Sequence, residues 1–208
     1  MDRERLPRRV YEWELERDFN KGWIGMTKKL LRELGLEEHW NRQYIEESKG
    51  MWGKLIWEKI QEREERQWWE DVCSKPKLRT YKEVKKKLVR EKYLSSQETK
   101  GRRALARIRS GCNELRIESG RQAGEEIKDR ICWFGCNKVE DEKHFLLECE
   151  LYVDQREEFI RDIGREQFGN RGWEILLGLG EEDEVNATMV FINRALARRR
   201  RILELRGG

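Results

Sequence analysis

The stretch CWFGCNKVEDEKHFLLEC, residues 132–149, holds three of the chain's five cysteines and one of its two histidines. Its spacing is Cys132-x3-Cys136-x7-His144-x4-Cys149. Three thiolates and one imidazole form a donor set suited to tetrahedral Zn²⁺, with all four positions filled by protein. Trp133, Phe134 and Gly135 form the short turn between the first two sulfurs, and Gly135 gives its backbone freedom. VEDE then leads into a helix starting near His144. A five-residue step is about one and a half α-helical turns, so His144 and Cys149 do not stack on one face of a regular helix. The competing reading is free cysteines packed as small apolar side chains. It must explain four ligand-type residues gathered within eighteen in a chain that has seven of them overall. A redox pair fits less well, because Cys-x3-Cys has no βαβ pattern around it.

Outward from this cluster the charge is blocky. Lys75 to Arg121 carries sixteen Lys/Arg against five acids, and residues 125–162 carry twelve acids against six bases. The net charge is only +4. Blocks of positive charge neutralise phosphates, which makes RNA or DNA the expected partner of the 75–121 segment. Few prolines and periodic apolar residues read as helix throughout. The expected class is all-α or mostly α, with a small CCHC zinc knuckle and room for one short β-hairpin between Ile131 and Val139.

Four segments are expected. Residues 1–74 form a Trp-rich helical region, charged and frayed over its first twenty residues. Ile24, Leu30, Leu31 and Leu34 are at helical spacing with Gly35 as the stop. A helix from about Trp40 to Val72 has Tyr44, Trp52, Ile56, Ile60 and Trp68 as its seam, and the tryptophans are expected in the core. Residues 75–122 form a basic helical segment that begins after the break at Pro76. Tyr81, Val84, Leu88 and Leu94 are its inward positions, and Lys82, Lys85, Lys86 and Arg90 crowd the opposite side as candidate nucleic-acid contacts. A further helix has Leu105 and Ile108 inward, Arg102, Arg103, Arg107 and Arg109 outward, and Gly111 at its end. Residues 123–168 hold the knuckle and an amphipathic helix with Leu147, Leu151, Phe159 and Ile163 inward. Residues 169–208 end in a helix from about Glu184 to Leu205, with Val190, Ile192, Leu196, Ile202 and Leu203 inward. Cys73 and Cys112 are expected to be buried, and His39 structural or exposed.

No run of about 18 apolar residues exists, so no membrane partner is expected, and the N-terminus lacks the apolar stretch of a signal peptide. The chain reads as intracellular, where disulfides are rare.

KLRTYKEVKKKLVREKYL (77–94), RRALARIRSGCNELRIESGR (102–121) and ICWFGCNKVEDEKHFLLECELYVDQREEF (131–159) resemble, in order and spacing, the region downstream of the polymerase in non-LTR (LINE-type) retrotransposon reverse transcriptases. The resemblance covers about residues 66–162. It implies a nucleic-acid-binding appendage. Cys132, Cys136, His144 and Cys149 would hold one structural zinc, and Arg102, Arg103, Arg107 and Arg109 would contact phosphates. The family's catalytic parts are absent: no Tyr/Phe-Ala-Asp-Asp occurs, and prolines stand only at Pro7 and Pro76, which excludes a Pro-Asp-Asp nuclease motif. No Ser/His/Asp constellation is available with one of two histidines given to metal. The expectation is a non-catalytic, retroelement-derived nucleic-acid-binding module. The alternative is a protein-interaction scaffold in which zinc is purely structural.

Overall fold

The computed structural model describes residues 6–17, 22–42 and 44–207. Of the frayed start expected over residues 1–20, residues 1–5 and 18–20 lie outside the described residues, and the part between them is a helix. The chain divides into two compact units between Trp68 and Trp69.

The first unit contains α1 (Leu6–Glu16), α2 (Trp23–Glu33), α3 (Glu37–Arg42) and most of α4 (Lys49–Ser74). α2 starts at Gly22, which has no side chain to cap it. The buried Glu14 of α1 supplies the acceptor instead, taking the Ile24 N–H at 3.1 Å. Gly35 ends α2 region at φ +72°, as its position suggested. Leu31, Leu34 and Leu36 form the buried centre, and Trp40, Trp52, Leu55, Ile56 and Ile60 pack around it. Trp52, Ile56 and Ile60 therefore keep the expected seam. Tyr44 does not: it precedes α4 and is 67% exposed. The tryptophans are not core residues. None of the nine is buried, and Trp13, Trp23, Trp57 and Trp133 are exposed. Leucines fill the small centre of this unit, and the larger indoles are left at its margin.

The second unit begins in α4 and contains α5 (Arg79–Val84), α6 (Thr99–Arg109), α7 (Arg116–Gln122), α8 (Val153–Ile163), α9 (Arg165–Leu176) and α10 (Glu182–Gly207). Segments 75–122, 123–168 and 169–208 all belong to it. Its strand content among the described residues is one isolated antiparallel bridge, Ile131 to Val139, where a hairpin had room to form. α5 stops well short of the expected helix. Lys85 turns inward, and Leu88 and Leu94 are exposed. α9 has no counterpart in the sequence reading, and it bends at Arg171.

Leu105 and Ile108 of α6, Ile175 and Leu176 of α9, and Met189 and Ile192 of α10 are fully buried together. Phe159 stacks on Phe191 with ring centroids 5.3 Å apart, tying α8 to α10. Val190, expected inward, is 42% exposed, because the buried register of α10 runs through Val185, Met189, Ile192, Ala195 and Arg199. Gly101 sets the distance between α6 and α10. A Cβ there would stand 2.6 Å from the Met189 Cβ. Gly101→Val is therefore expected to lower stability by about 2 kcal/mol or more, since overpacking a tight core outweighs any gain in helix propensity. Urea unfolding followed by circular dichroism reads this directly, and an unchanged midpoint would mean the two helices can part without cost.

Candidate metal centre

The Ile131–Val139 bridge brings the ends of the Cys132–Cys136 turn together. The Cys132 N–H donates to Lys138 O and the Glu140 N–H to Arg130 O, both at 2.9 Å. Gly135 sits at φ +88° and Asn137 at φ +53°, so both positive-φ residues of the turn are types that tolerate it. Asp141 then accepts the His144 N–H at 2.7 Å. This opens a single π-helical turn over His144–Glu148, closed by the Cys149 N–H donating to His144 O at 2.7 Å. The widened turn resolves the spacing conflict seen in the sequence: an i→i+5 ladder places residue i+5 close above residue i. The regular helix begins only at Val153, later than the sequence suggested. Phe145 and Leu146 of the π-turn are fully buried, and Leu147 and Leu151, expected inward, are partly buried against the same core.

One donor atom from each of Cys132, Cys136, His144 and Cys149 lies within 4.8 Å of the other three. The Cys136 and Cys149 sulfurs are 3.7 Å apart, and none of the five cysteines is in a disulfide. Two thiolates at tetrahedral Zn–S distance stand about 3.8 Å from each other. Both ring nitrogens of the buried His144 lack a hydrogen-bond partner. A buried imidazole with no hydrogen bond, its Nδ1 3.8 Å from a Glu148 oxygen and facing three thiols, is the arrangement a metal ion satisfies. The sulfurs polarise one another. The neighbouring Cys149 thiol draws Cys132 well below the usual thiol range, and the negative Cys132 together with burial pushes Cys149 up. The cluster can hold one metal ion.

The ring of residues that holds the ligands was not foreseen. Arg156, buried on α8, donates to Leu146 O and Cys149 O at 2.9 Å each and so satisfies carbonyls freed where the π-turn ends. Glu140 is fully buried, with Oε1 4.0 Å from the Cys132 sulfur, and pairs with fully buried Arg199 of α10. Burial pushes the Glu140 carboxyl up while Arg199 opposes it. Arg199 also donates to Glu114 O at 3.1 Å and lies over the Trp133 and Phe134 rings. Arg206 donates to Trp133 O at 2.7 Å. α10 thus clamps the cysteine turn from one side.

On the other side Arg79 binds both Glu142 oxygens, the closest at 2.6 Å, and Glu118 at 2.6 Å. Glu118 also takes two bonds from Arg121. Arg79, Glu118, Arg121 and Glu142 come from the three separate segments that carry the family resemblance. Their charges are joined inside the fold. VEDE is therefore no acidic surface, because Glu140 and Glu142 are buried and paired.

The cationic residues singled out in the sequence divide. Lys82, Lys86, Arg90 and Arg103 are exposed and form no ion pair among the described residues; Lys86 donates to Lys82 O and lies over the Trp69 ring. Arg107 is exposed, donates to Cys112 O and lies 3.7 Å from Glu114. Arg102 is half-buried and donates to Leu94 O and Ser96 O. Two assignments are corrected. Lys85 and Arg109 are buried and converge on Glu91, at 2.7 and 3.2 Å, and Arg109 also donates to Leu177 O. An acid several residues away in sequence draws both cations inward, where they cannot meet a phosphate. Cys73 and Cys112, expected in the core, are exposed. His39 is half-buried beside Trp52, with ring centroids 5.0 Å apart. No helix of the described residues is long and apolar enough to cross a membrane. Comparison with protein-family models, with curated proteins and with solved structures finds no match.

Proposed function

We propose that this chain is a non-catalytic nucleic-acid-binding module, organised by one zinc ion and derived from the post-polymerase region of a non-LTR reverse transcriptase. Soft thiolate donors with one imidazole favour Zn²⁺ over hard cations. Four protein ligands leave no open position for a substrate or an activated water, so the ion's part is structural. The observation that carries the binding reading is the sorting of charge. Glu140 and Glu142 beside the cluster are buried and paired and exposed Glu148 pairs with Lys138, while Lys82, Lys86, Arg90 and Arg103 are exposed with no acid partner among the described residues. Such a surface attracts phosphates without strong repulsion from the knuckle. The retroelement origin rests on the order and spacing of the three resembling segments in the sequence.

Fluorescence anisotropy of a labelled single strand tests this reading. With about four phosphates neutralised, log affinity should fall with log salt at a slope near −3, or about 50-fold between 50 and 200 mM. Salt-independent binding, or none at 50 mM, would overturn it. A second reading, a protein-docking module, is favoured by exposed Trp13, Trp23, Met26, Met51 and Trp57 in the first unit. It would lead if the anisotropy experiment failed.

A further inference from the structure

α6 and α10 pack directly on each other and leave a groove of about 430 Å³ along their line of contact. Each helix lines it with residues at the spacing i, i+3, i+4, i+7. On α6 these are Lys100, Arg103, Ala104 and Arg107, and on α10 Asn193, Leu196, Ala197 and Arg200. The two alanines fall at matching places in the repeat, so the floor is low where the walls carry charge. Lys100, Arg103 and Arg200 are exposed and have no ion pair among the described residues. The single acid lining the groove, Glu114, lies 3.7 Å from Arg107, which leaves the groove strongly cationic.

Resting on the nucleic-acid reading above, we infer that the α6/α10 groove is the track for one single strand, holding its phosphodiester backbone between Lys100, Arg103 and Arg107 on one wall and Arg200 on the other. Helices in contact have axes about 8–10 Å apart, so the trough between them is too narrow to admit a duplex. Lys100 and Arg107 stand about 10 Å apart along the helix axis, a length that spans consecutive phosphates of one strand. Asn193 makes no side-chain hydrogen bond among the described residues and lines the same trough, where its amide can both donate and accept toward a base edge or a sugar hydroxyl. Lys100 and Asn193 did not stand out in the sequence and Leu196 was expected to face the core; the packing of α10 on α6 places them beside Arg103 and Arg107.

The test uses the full chain with labelled oligo(U), oligo(dT) and a duplex of equal length, about 12 nucleotides each. The single strands should bind more tightly than the duplex, and whichever of the two binds better names the source of the strand. Arg103→Ala and Arg200→Ala should each weaken single-strand binding roughly fivefold and flatten the salt slope by about 0.7. Ala197→Glu, at an exposed helical position, should weaken it more than tenfold with the fold intact. Arg161→Ala with Arg165→Ala, which removes twice the charge of either single groove variant from α8 and α9, should leave binding within twofold. A duplex preference, or groove variants no weaker than the Arg161/Arg165 control, would overturn the groove alone. Failure of the unaltered protein to bind any probe at low salt would overturn the nucleic-acid reading and the groove with it.

Discussion

Chelating the metal at neutral pH is expected to collapse the helical and aromatic circular dichroism of residues 69–208. The ligands come from two irregular pieces, the Cys132–Cys136 turn and the π-turn ending at Cys149, that a single bridge and a few side-chain bonds hold together. Cys132 and Cys149 belong to the same buried cluster as Phe145, Leu146 and Tyr152. Without an ion, three mutually polarising sulfurs and an unpartnered imidazole remain inside that cluster. Structural zinc contributes about 10–16 kcal/mol of apparent binding energy in small peptides, against a total stability of about 5–15 kcal/mol for an ordinary domain. Loss of the ion therefore removes a contribution as large as the whole. Cys149→Ser should have the same effect, and Cys112→Ser, outside the cluster and exposed, should stay within about 0.5 kcal/mol. Acid should release the ion as well, because each thiolate ligand must be deprotonated to bind and affinity falls as pH falls. A chromogenic chelator followed beside circular dichroism reads release and unfolding together. Retention of native dichroism after complete metal removal would refute the structural role.

Glu140→Ala is expected to destabilise the second unit by about 3–5 kcal/mol, since it strands the guanidinium of fully buried Arg199. The remaining partners of Arg199, the Glu114 carbonyl and two aromatic rings, carry no formal negative charge. Arg199→Met should cost a comparable amount, leaving a buried carboxylate 4.0 Å from the Cys132 sulfur. Glu140→Ala with Arg199→Met should cost less than the sum of the two, with the difference read from a double-mutant cycle. Arg198 is the informative control. It is the preceding residue in the same arginine run, but it pairs with exposed Asp154 at 2.6 Å, and Arg198→Ala should change stability by under about 1 kcal/mol. Equal effects at Arg198 and Arg199 would mean that α10 does not clamp the knuckle through this pair.

The same pair shows where sequence reading reached its limit. Arg198 to Arg201 is a uniform run of charge, and nothing local marks Arg199 as internal. Its partner Glu140 lies 59 residues away. Lys85 and Arg109 were misassigned for the same reason, because Glu91 draws both into the fold. A charged residue's side of a helix follows from its partners as much as from the apolar period. The candidate metal cluster was legible because a metal site imposes donor type and spacing together, and both are local. The strain of a five-residue step from His144 to Cys149 was also legible, as a conflict with regular helix, and the π-turn is its solution. The tryptophans misled because their area argues for burial in general, whereas the buried cluster of the first unit, among the described residues, is built from leucines. α9 was unreadable because its bend at Arg171 breaks the apolar period.

The most direct measurement is the metal content of the purified chain together with X-ray absorption at the zinc edge. The account predicts one zinc per chain, with three sulfurs at about 2.3 Å and one nitrogen at about 2.0–2.1 Å. Cys136→Ser and His144→Ala should each lose the metal. A substoichiometric metal, or a shell of oxygens in place of three sulfurs and an imidazole, would contradict it.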